Sequence, residues 1–418
     1  MPPSDRRAIS LKEYGKWTGE LSPSELDALL LVAGTRLDVS PQLHGLIEIK
    51  ATSHVGVICT DDLTVRVRPK VGLDNLFHLL GVDTALWKVG TGQADYGIDD
   101  EDVSSALVRL LCREVDRLTS RGLLHGYVEH HERLMSLRGR VDLNAVMRRP
   151  WEPMPVPCSF DEFVPDVFVN RALRRALQAA RRLPLLSPAV RGELHLLLER
   201  FDGVSVRNVG ADEIRAWRPS RSDRHYRSAM SLALVVLSHA DLADRAGVNS
   251  AASFTIDMNK LFEEFVGREL RTRLAPQLDL EEQYSTALDV DATLSICPDF
   301  VVRRQRSDGQ LLAVADTKYK LSGAAGEITD HYQLLAYSTV FGLNDGVLIY
   351  CDRDDGVVDE QLEQHVRSVE VINGGIRHHV YRLGLSGTRS DINSRLDELA
   401  QFLESIAISH ERSALVAA

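Results

Sequence analysis

Ile296-Cys297-Pro298-Asp299-Phe300, followed by Ala313-Val314-Ala315-Asp316-Thr317-Lys318-Tyr319, is the stretch on which the reading of this chain turns. Both segments are strand-like, and Asp308-Gly309 between them is a hairpin-turn signal. A turn centred on that dipeptide places Asp299 opposite Lys318 and Val301 opposite Asp316. Side chains alternate along a strand, so Asp299, Asp316 and Lys318 share one face, with Asp316 diagonal to Asp299. Two carboxylates held that close repel unless a cation lies between them, and hard oxygen ligands favour Mg²⁺ or Mn²⁺. A lysine beside them can orient or deprotonate a water and offset charge on a phosphate. That set of groups points to metal-assisted phosphodiester hydrolysis. Residues 311–315 are continuously apolar, as a strand covered on both faces should be. The charges that follow at once need a chemical reason.

Pro298-Asp299, a spacer and Asp316-Thr317-Lys318 resemble the signature of the PD-(D/E)xK nuclease superfamily. Downstream, Asp330-His331-Tyr332-Gln333-Leu334-Leu335-Ala336-Tyr337 supplies a Gln-x-x-x-Tyr pattern similar to its RecB-like branch. Gln333 and Tyr337, four apart, share a helix face. Upstream, Asp257 to Val266 resembles the helix that opens this core and contributes a metal-site glutamate. Leu261, Phe262, Phe265 and Val266 form its apolar stripe; Glu263 lies at the margin and Glu264 points away, which favours Glu263. The bland readings are a strand-end cap for Asp299 and a solvated edge lysine for Lys318. The resemblance implies Mg²⁺ (or Mn²⁺) held by Asp299, Asp316, the Thr317 carbonyl and Glu263. It implies that Lys318 positions the attacking hydroxide, with Gln333 and Tyr337 steadying the site.

Three further segments narrow the family. Leu137-Arg138-Gly139-Arg140-Val141-Asp142, then Cys158 to Phe163, then Asn170-Arg171-Ala172-Leu173 resemble the middle section of McrC proteins. Val65 to Val71, followed by Leu76-Phe77-His78-Leu79-Leu80, resembles the McrC segment that leads into its first helix. The similarity runs in motif order from residue 45 to residue 400. It implies an endonuclease subunit of a McrBC-like restriction system, cutting DNA that carries modified cytosine. It also implies a GTP-hydrolysing AAA+ McrB ring whose GTPase this chain stimulates, the GTP being bound by the partner. Three other readings use the same residues: a RecB-like exonuclease working alone or with a helicase, a mainly regulatory activator of the ring, and a phosphatase or esterase.

The expected fold is α/β with α+β additions, in four parts. Residues 1–85 form a β-rich, partner-docking domain with a helix over 26–32 opened by Ser22 and strands at 45–51, 54–60 and 63–69. Residues 86–249 are a mainly helical middle region, with helices over 103–118, 170–182, 189–201 and 226–239. Residues 250–406 make the PD-(D/E)xK core, including a buried strand at 346–350 and a last helix over 389–406. Residues 407–418 are a flexible tail.

The 418 residues carry a net charge of −11. A protein that grips phosphates by itself normally has a basic surplus, so the sign suggests that DNA affinity is delegated to a partner. Arg215, Arg218, Arg221, Arg224 and Arg227 recur every third residue around Trp217 and Tyr226, and Pro219 forbids one helix through them. The last four are candidate DNA contacts; a solvated connector is the alternative. The five cysteines are scattered singly, which argues for a reducing compartment and against a zinc ribbon, a disulfide framework or a grouped-cysteine cluster. No apolar run has the length of a membrane span, no secretory signal opens the chain and no phosphate-binding loop is present, so a cytoplasmic protein is expected. His378-His379 reads as surface. His125, His130 and His131 crowd together, but the adjacent pair points to different sides of any regular element, which argues against a shared metal. Asp289 and Asp291 are either a second metal feed or a solvated strand entry, and 352–356 only superficially resembles a calcium loop.

Overall fold

The computed structural model describes residues 6–82, 103–149, 151–152, 154–221, 223–246, 253–305, 310–320, 326–351, 365–372 and 375–417. Asp308-Gly309 and the segment 352–356 lie outside the described residues. The chain forms two compact units: Arg6–Thr84 joined with Thr255–Ala418, and Ala85–Phe254 together with the first five residues.

The N-terminal part of the first unit runs β1 (Arg7–Lys12), β2 (Lys16–Gly19), α1 (Pro23–Ala33), β3 (Leu37–Pro41), β4 (Ile47–Ala51), β5 (His54–Cys59), β6 (Leu63–Arg68) and α2 (Leu73–Leu79). Ser22 caps α1 in a reciprocal capping box with Glu25, and Pro23 occupies the first turn, where its missing N–H costs nothing. Strands β2, β4 and β3 form one antiparallel sheet, and alternation along β4 buries Ile47, Ile49 and Ala51. These join Ile9, Leu29, Leu37, Ile58, Leu63 and Val65 in a common core. The strands expected at 45–51, 54–60 and 63–69 are present as β4, β5 and β6. The parallel partner of β6 was not legible: β1 pairs from Arg7↔Leu63 to Lys12↔Arg68, a contact set by tertiary packing rather than local pattern.

The second unit contains α3 (Val103–Thr119), β7 (Gly126–Leu134), β8 (Arg140–Val141), α4 (Leu143–Arg148), β9 (Val156–Val164), α5 (Phe168–Ala180), α6 (Pro188–Glu199), α7 (Ala211–Ala216) and α8 (Arg227–Ala246). Its helices pack through Leu107, Leu111, Leu173, Leu177, Leu194 and Met230, all buried. The expectation of a mainly helical region omits the antiparallel sheet β7–β9–β8. That sheet leaves Tyr127 and Phe163 exposed and buries only Cys158 and Phe160, so its apolar alternation is short. Asn170 is wholly buried, and its amide donates to the carbonyls of Leu124 (2.8 Å) and Pro165 (2.7 Å), locking the entry to α5. Pro219 does lie in the break between α7 and α8.

The first unit resumes in β10 (Ser253–Asp257), α9 (Met258–Arg273), β11 (Leu278–Glu282), β12 (Thr286–Ala287), β13 (Ser295–Ile296), β14 (Phe300–Arg304), β15 (Leu311–Lys318), α10 (Ile328–Phe341), β16 (Asp345–Cys351), β17 (Val366–Glu370), β18 (Arg377–Leu383) and α11 (Arg389–Ala417). The main sheet has the order β11-β14-β15-β16-β18-β17, with β15, β16 and β18 parallel at its centre. Every residue of β16 is buried, which a central strand with helices on both faces requires. Val301, Val314, Leu348 and Tyr350 meet Leu334 and Tyr337 of α10. On the other face, Phe300 lies against Gly267 of α9, where a Cβ would come within 2.9 Å of its ring. Two expectations fail here. The last helix does not stop at 406; it continues to Ala417, and Arg304 pairs with Glu411 at 3.1 Å. His378 and His379 are buried in β18, not on the surface, against His331 and Asp345. No described helix is long and apolar enough to cross a membrane.

Gly139 sits at φ 63°, and an added Cβ would fall 2.3 Å from the Ser159 carbonyl oxygen. Gly139→Ala should therefore destabilise the β7–β9–β8 sheet by about 2 kcal/mol or more, read as an earlier denaturation midpoint of the helical unit.

Candidate active site

Strands β14 and β15 pair as Phe300↔Ala315, Val301↔Val314 and Val302↔Ala313, with a bulge between Val302 and Arg303. Continued one step, this register sets Asp299 directly opposite Asp316. The turn-centred expectation had Asp299 facing Lys318 and Asp316 diagonal. Next to the turn, Arg303 pairs with Leu311, three positions short of that expectation, and the bulge, one extra residue in β15, takes back only one of them. The slide amounts to two positions at the site, so the side chains keep their face.

Direct opposition of two acids is unfavourable, and the surroundings show how it is offset. Asp299 Oδ2 accepts from the backbone N–H (2.7 Å) and hydroxyl (2.6 Å) of Thr317. Asp316 is 2% exposed, and Lys318 Nζ lies 2.5 Å from its Oδ2. That oxygen has no partner of hydrogen-bonding geometry, so the contact is an ion pair alone. Burial and then the Asp299 charge push the Asp316 carboxyl up to about 6, against the pull of Lys318.

Helix α9 supplies the third acid. Asp257 caps its start by accepting from Asn259 N, and Phe262, Phe265, Val266 and Leu270 bury its apolar stripe. This orientation leaves Glu264 exposed and Glu263 half-buried beside the strands. Burial, with Asp299 next, raises the Glu263 carboxyl to about 7. Helix α10 completes the group: Gln333 Oε1 accepts from Lys318 Nζ at 3.0 Å, and Gln333 Nε2 donates to Tyr337 Oη at 2.6 Å. Tyr337 in turn donates to the Cys297 carbonyl at 3.2 Å, beside Pro298-Asp299. Glu263, Asp299, Asp316, Lys318 and Gln333 thus line one cleft of ≈ 360 Å³.

One participant carried no signal in the sequence. Gln283 adopts φ 53°, a region most non-glycine residues avoid. Its amide donates to Glu263 Oε1 (2.5 Å) and Asp299 Oδ1 (3.4 Å), while its carbonyl oxygen accepts from Cys297 Sγ (3.3 Å). A lone glutamine between two short strands belongs to no recognisable motif. Asp289 is elsewhere engaged, accepting from Thr293 and Leu294 within its own loop. Arg218, Arg221, Arg224 and Arg227 are exposed on the other compact unit; Arg218 donates to the Arg215 and Trp217 carbonyls.

The donor set suits a hard divalent cation. It has three carboxylates, two of them disfavoured as bare anions, and one buried oxygen without a hydrogen bond. Among the described residues no three His, Cys, Asp or Glu groups stand together in ready-made metal-ligand geometry. The Lys318 ammonium and the Gln283 amide occupy the acceptor positions that a cation would take.

A family model described as "McrBC 5-methylcytosine restriction system component" matches residues 49–351, well over half of the chain. No curated protein sequence matches. Among solved structures the fold is similar to a chain of the refined half-complex from the tetradecameric assembly of Thermococcus gammatolerans McrB AAA+ hexamers with bound McrC. That similarity has 19% identity, covers 94% of this chain and 99% of the other, and has a TM-score of 0.56. The cryo-EM structure of the Thermococcus gammatolerans McrBC complex is similar at 20% identity over 64% of this chain and 88% of the other, with a TM-score of 0.45.

The raised carboxyls fix a pH dependence. Folding lifts Asp316 from its ordinary 3.8 to about 6 and Glu263 from 4.5 to about 7. Stability held while both are protonated is lost as pH rises through those values. Asp316→Asn should therefore melt above the parent protein in metal-free buffer at pH 8, by on the order of 1–2 kcal/mol, and by less at pH 4. Millimolar Mg²⁺ should raise the parent's melting temperature at pH 8 and leave that of Asp316→Asn unmoved, as read by thermal denaturation.

Proposed function

The chain belongs to the McrBC 5-methylcytosine restriction system component family, and from that premise we propose that it is the McrC-type, Mg²⁺-dependent endonuclease subunit, with a PD-(D/E)xK core in residues 250–406. The observation that carries this reading is the convergence of Asp299, Asp316, Glu263, Lys318 and Gln333 on one cleft from two strands and two helices.

In this reading Asp299, Asp316 and the Thr317 carbonyl would hold Mg²⁺ or Mn²⁺, with Glu263 directly or through water. A cation held there would supply a ligated water of lowered pKa and offset charge on the scissile phosphate. Lys318, held between Asp316 and Gln333, would orient the attacking water from the protein side. Gln333 limits where the ammonium can go, because its Oε1 is already within hydrogen-bond distance. Tyr337 fixes the Gln333 amide and ties it to the Cys297 carbonyl, which links the segment before Asp299 to α10. Gln283, which now donates to Glu263 and Asp299, would have to yield those contacts to a cation.

The partner in this reading is a McrB-like AAA+ ring that binds and hydrolyses GTP, a reaction this chain would stimulate, and the substrate is DNA carrying modified cytosine. The likeness to a chain of the McrB–McrC assembly over nearly the full length of both chains supports it. So does the net charge of −11, which suits a subunit brought to DNA by another protein.

With the ring partner, GTP and Mg²⁺, the protein should make double-strand cuts in DNA containing 5-methylcytosine and spare the unmethylated plasmid. Asp316→Ala and Lys318→Ala should each cut at least about 100-fold more slowly while still co-eluting with the ring. Undiminished cutting by Asp316→Ala would refute the site.

A further inference from the structure

Two connections of the N-terminal sheets reach the elements that bear the acids. Ser53, between β4 and β5, is buried; its hydroxyl donates to Asp257 Oδ1 (3.2 Å) and accepts from Asn259 Nδ2 (2.9 Å). Its carbonyl accepts from Met258 N at 3.0 Å. Ser53 therefore grips the cap and first turn of α9, a little over one turn before Glu263.

The second connection is the tight turn Glu13-Tyr14-Gly15 between β1 and β2, closed by Gly15 N donating to the Lys12 carbonyl. Tyr14, at φ 58°, donates its hydroxyl to the Tyr319 carbonyl at 2.7 Å. The Tyr319 hydroxyl donates back to Glu13 Oε2 at 3.3 Å, where the Lys70 backbone N–H also donates at 3.2 Å. Tyr319 directly follows Lys318, and its ring centroid lies 5.8 Å from that of Phe262, which directly precedes Glu263. Glu13 is 2% exposed, and its Oε1 has no hydrogen-bond partner. A buried carboxylate with half its capacity unmet is costly, and apolar packing would hold two sheets together more cheaply. What this arrangement supplies instead is direction. The turn holds both the backbone and the side chain of the residue beside Lys318, while Ser53 holds the helix that carries Glu263.

We propose that Glu13, Tyr14 and Tyr319 are positioning residues for Lys318, and Ser53 for Glu263, so that the N-terminal sheets set the spacing of the nuclease acids. The proposal rests on the nuclease reading given above. Its consequence is that the core at 250–406 has no independent catalytic geometry, and whatever binds the N-terminal sheets acts on the site through these two contacts.

The test uses the full chain with its ring partner, GTP and 5-methylcytosine DNA, at a temperature where every variant is fully folded by circular dichroism. Tyr14→Phe, Tyr319→Phe and Ser53→Ala should each lower kcat about tenfold with KM for DNA unchanged. Glu13→Ala should do the same, and Glu13→Gln, which keeps an acceptor for Tyr319, should restore most of the rate. In parallel, Mn²⁺ binding followed by electron paramagnetic resonance should weaken in Ser53→Ala. Variants that melt earlier yet retain the parental kcat and Mn²⁺ affinity would overturn the proposal and reduce these contacts to cohesion. A parent protein that neither binds Mn²⁺ nor cuts would instead overturn the nuclease reading itself.

Discussion

An acid facing an acid at the buried end of two paired strands is the constraint around which the first unit is organised. Like charges attract no neighbours of their own kind in a low-dielectric setting, so each oxygen must be answered from a different direction. Thr317 answers Asp299 from within β15, and Lys318 answers Asp316 from two residues on. Gln283 reaches both Glu263 and Asp299 from the β11–β12 connection, and Gln333 steadies the lysine from α10. The helices are thus not only cover for a hydrophobic sheet. Helix α10 brings Gln333 to steady the lysine, whereas α9 adds a third acid, Glu263, to the same place.

Much of this was legible because it depends on parity rather than on exact pairing. The acids and the lysine occupy alternate positions, so even a register misjudged by two leaves them on one face; only an odd slip would have scattered them. The helical assignments rested on similar periodic evidence, and Glu263 separated from Glu264 on the wheel because Phe262, Phe265 and Val266 fix which way α9 rolls. What escaped had no local pattern. Gln283 matters through a left-handed backbone conformation that glutamine does not advertise. Strand β1 depends on a parallel partner more than fifty residues away. The sheet β7–β9–β8 covers one face only through Cys158 and Phe160 and leaves the other to solvent, and His378-His379 has a polar sequence but finds buried partners in His331 and Asp345.

Several residues that carry the family likeness lie in structural contacts away from the cleft. Gly139 is required where a side chain would strike the Ser159 carbonyl, and Asn170 ties the Leu124 and Pro165 carbonyls together at the entry to α5. Their part is to keep a loosely covered sheet and a helix entry in shape. The family match from 49 to 351 therefore reports a scaffold as well as a cleft.

The unit that bears the cleft is interrupted in sequence by the other, which separates Thr84 from Thr255. During synthesis, β1, β5 and β6 leave the ribosome long before β10 and α9 exist to complete them. For that interval Ser53 and Glu13 lack their eventual partners, and β5 presents an open hydrogen-bonding edge. A nascent or truncated chain ending within the insertion is thus a sticky, half-built sheet, and the long excursion makes this protein's biogenesis more exposed to mispairing than its finished fold suggests.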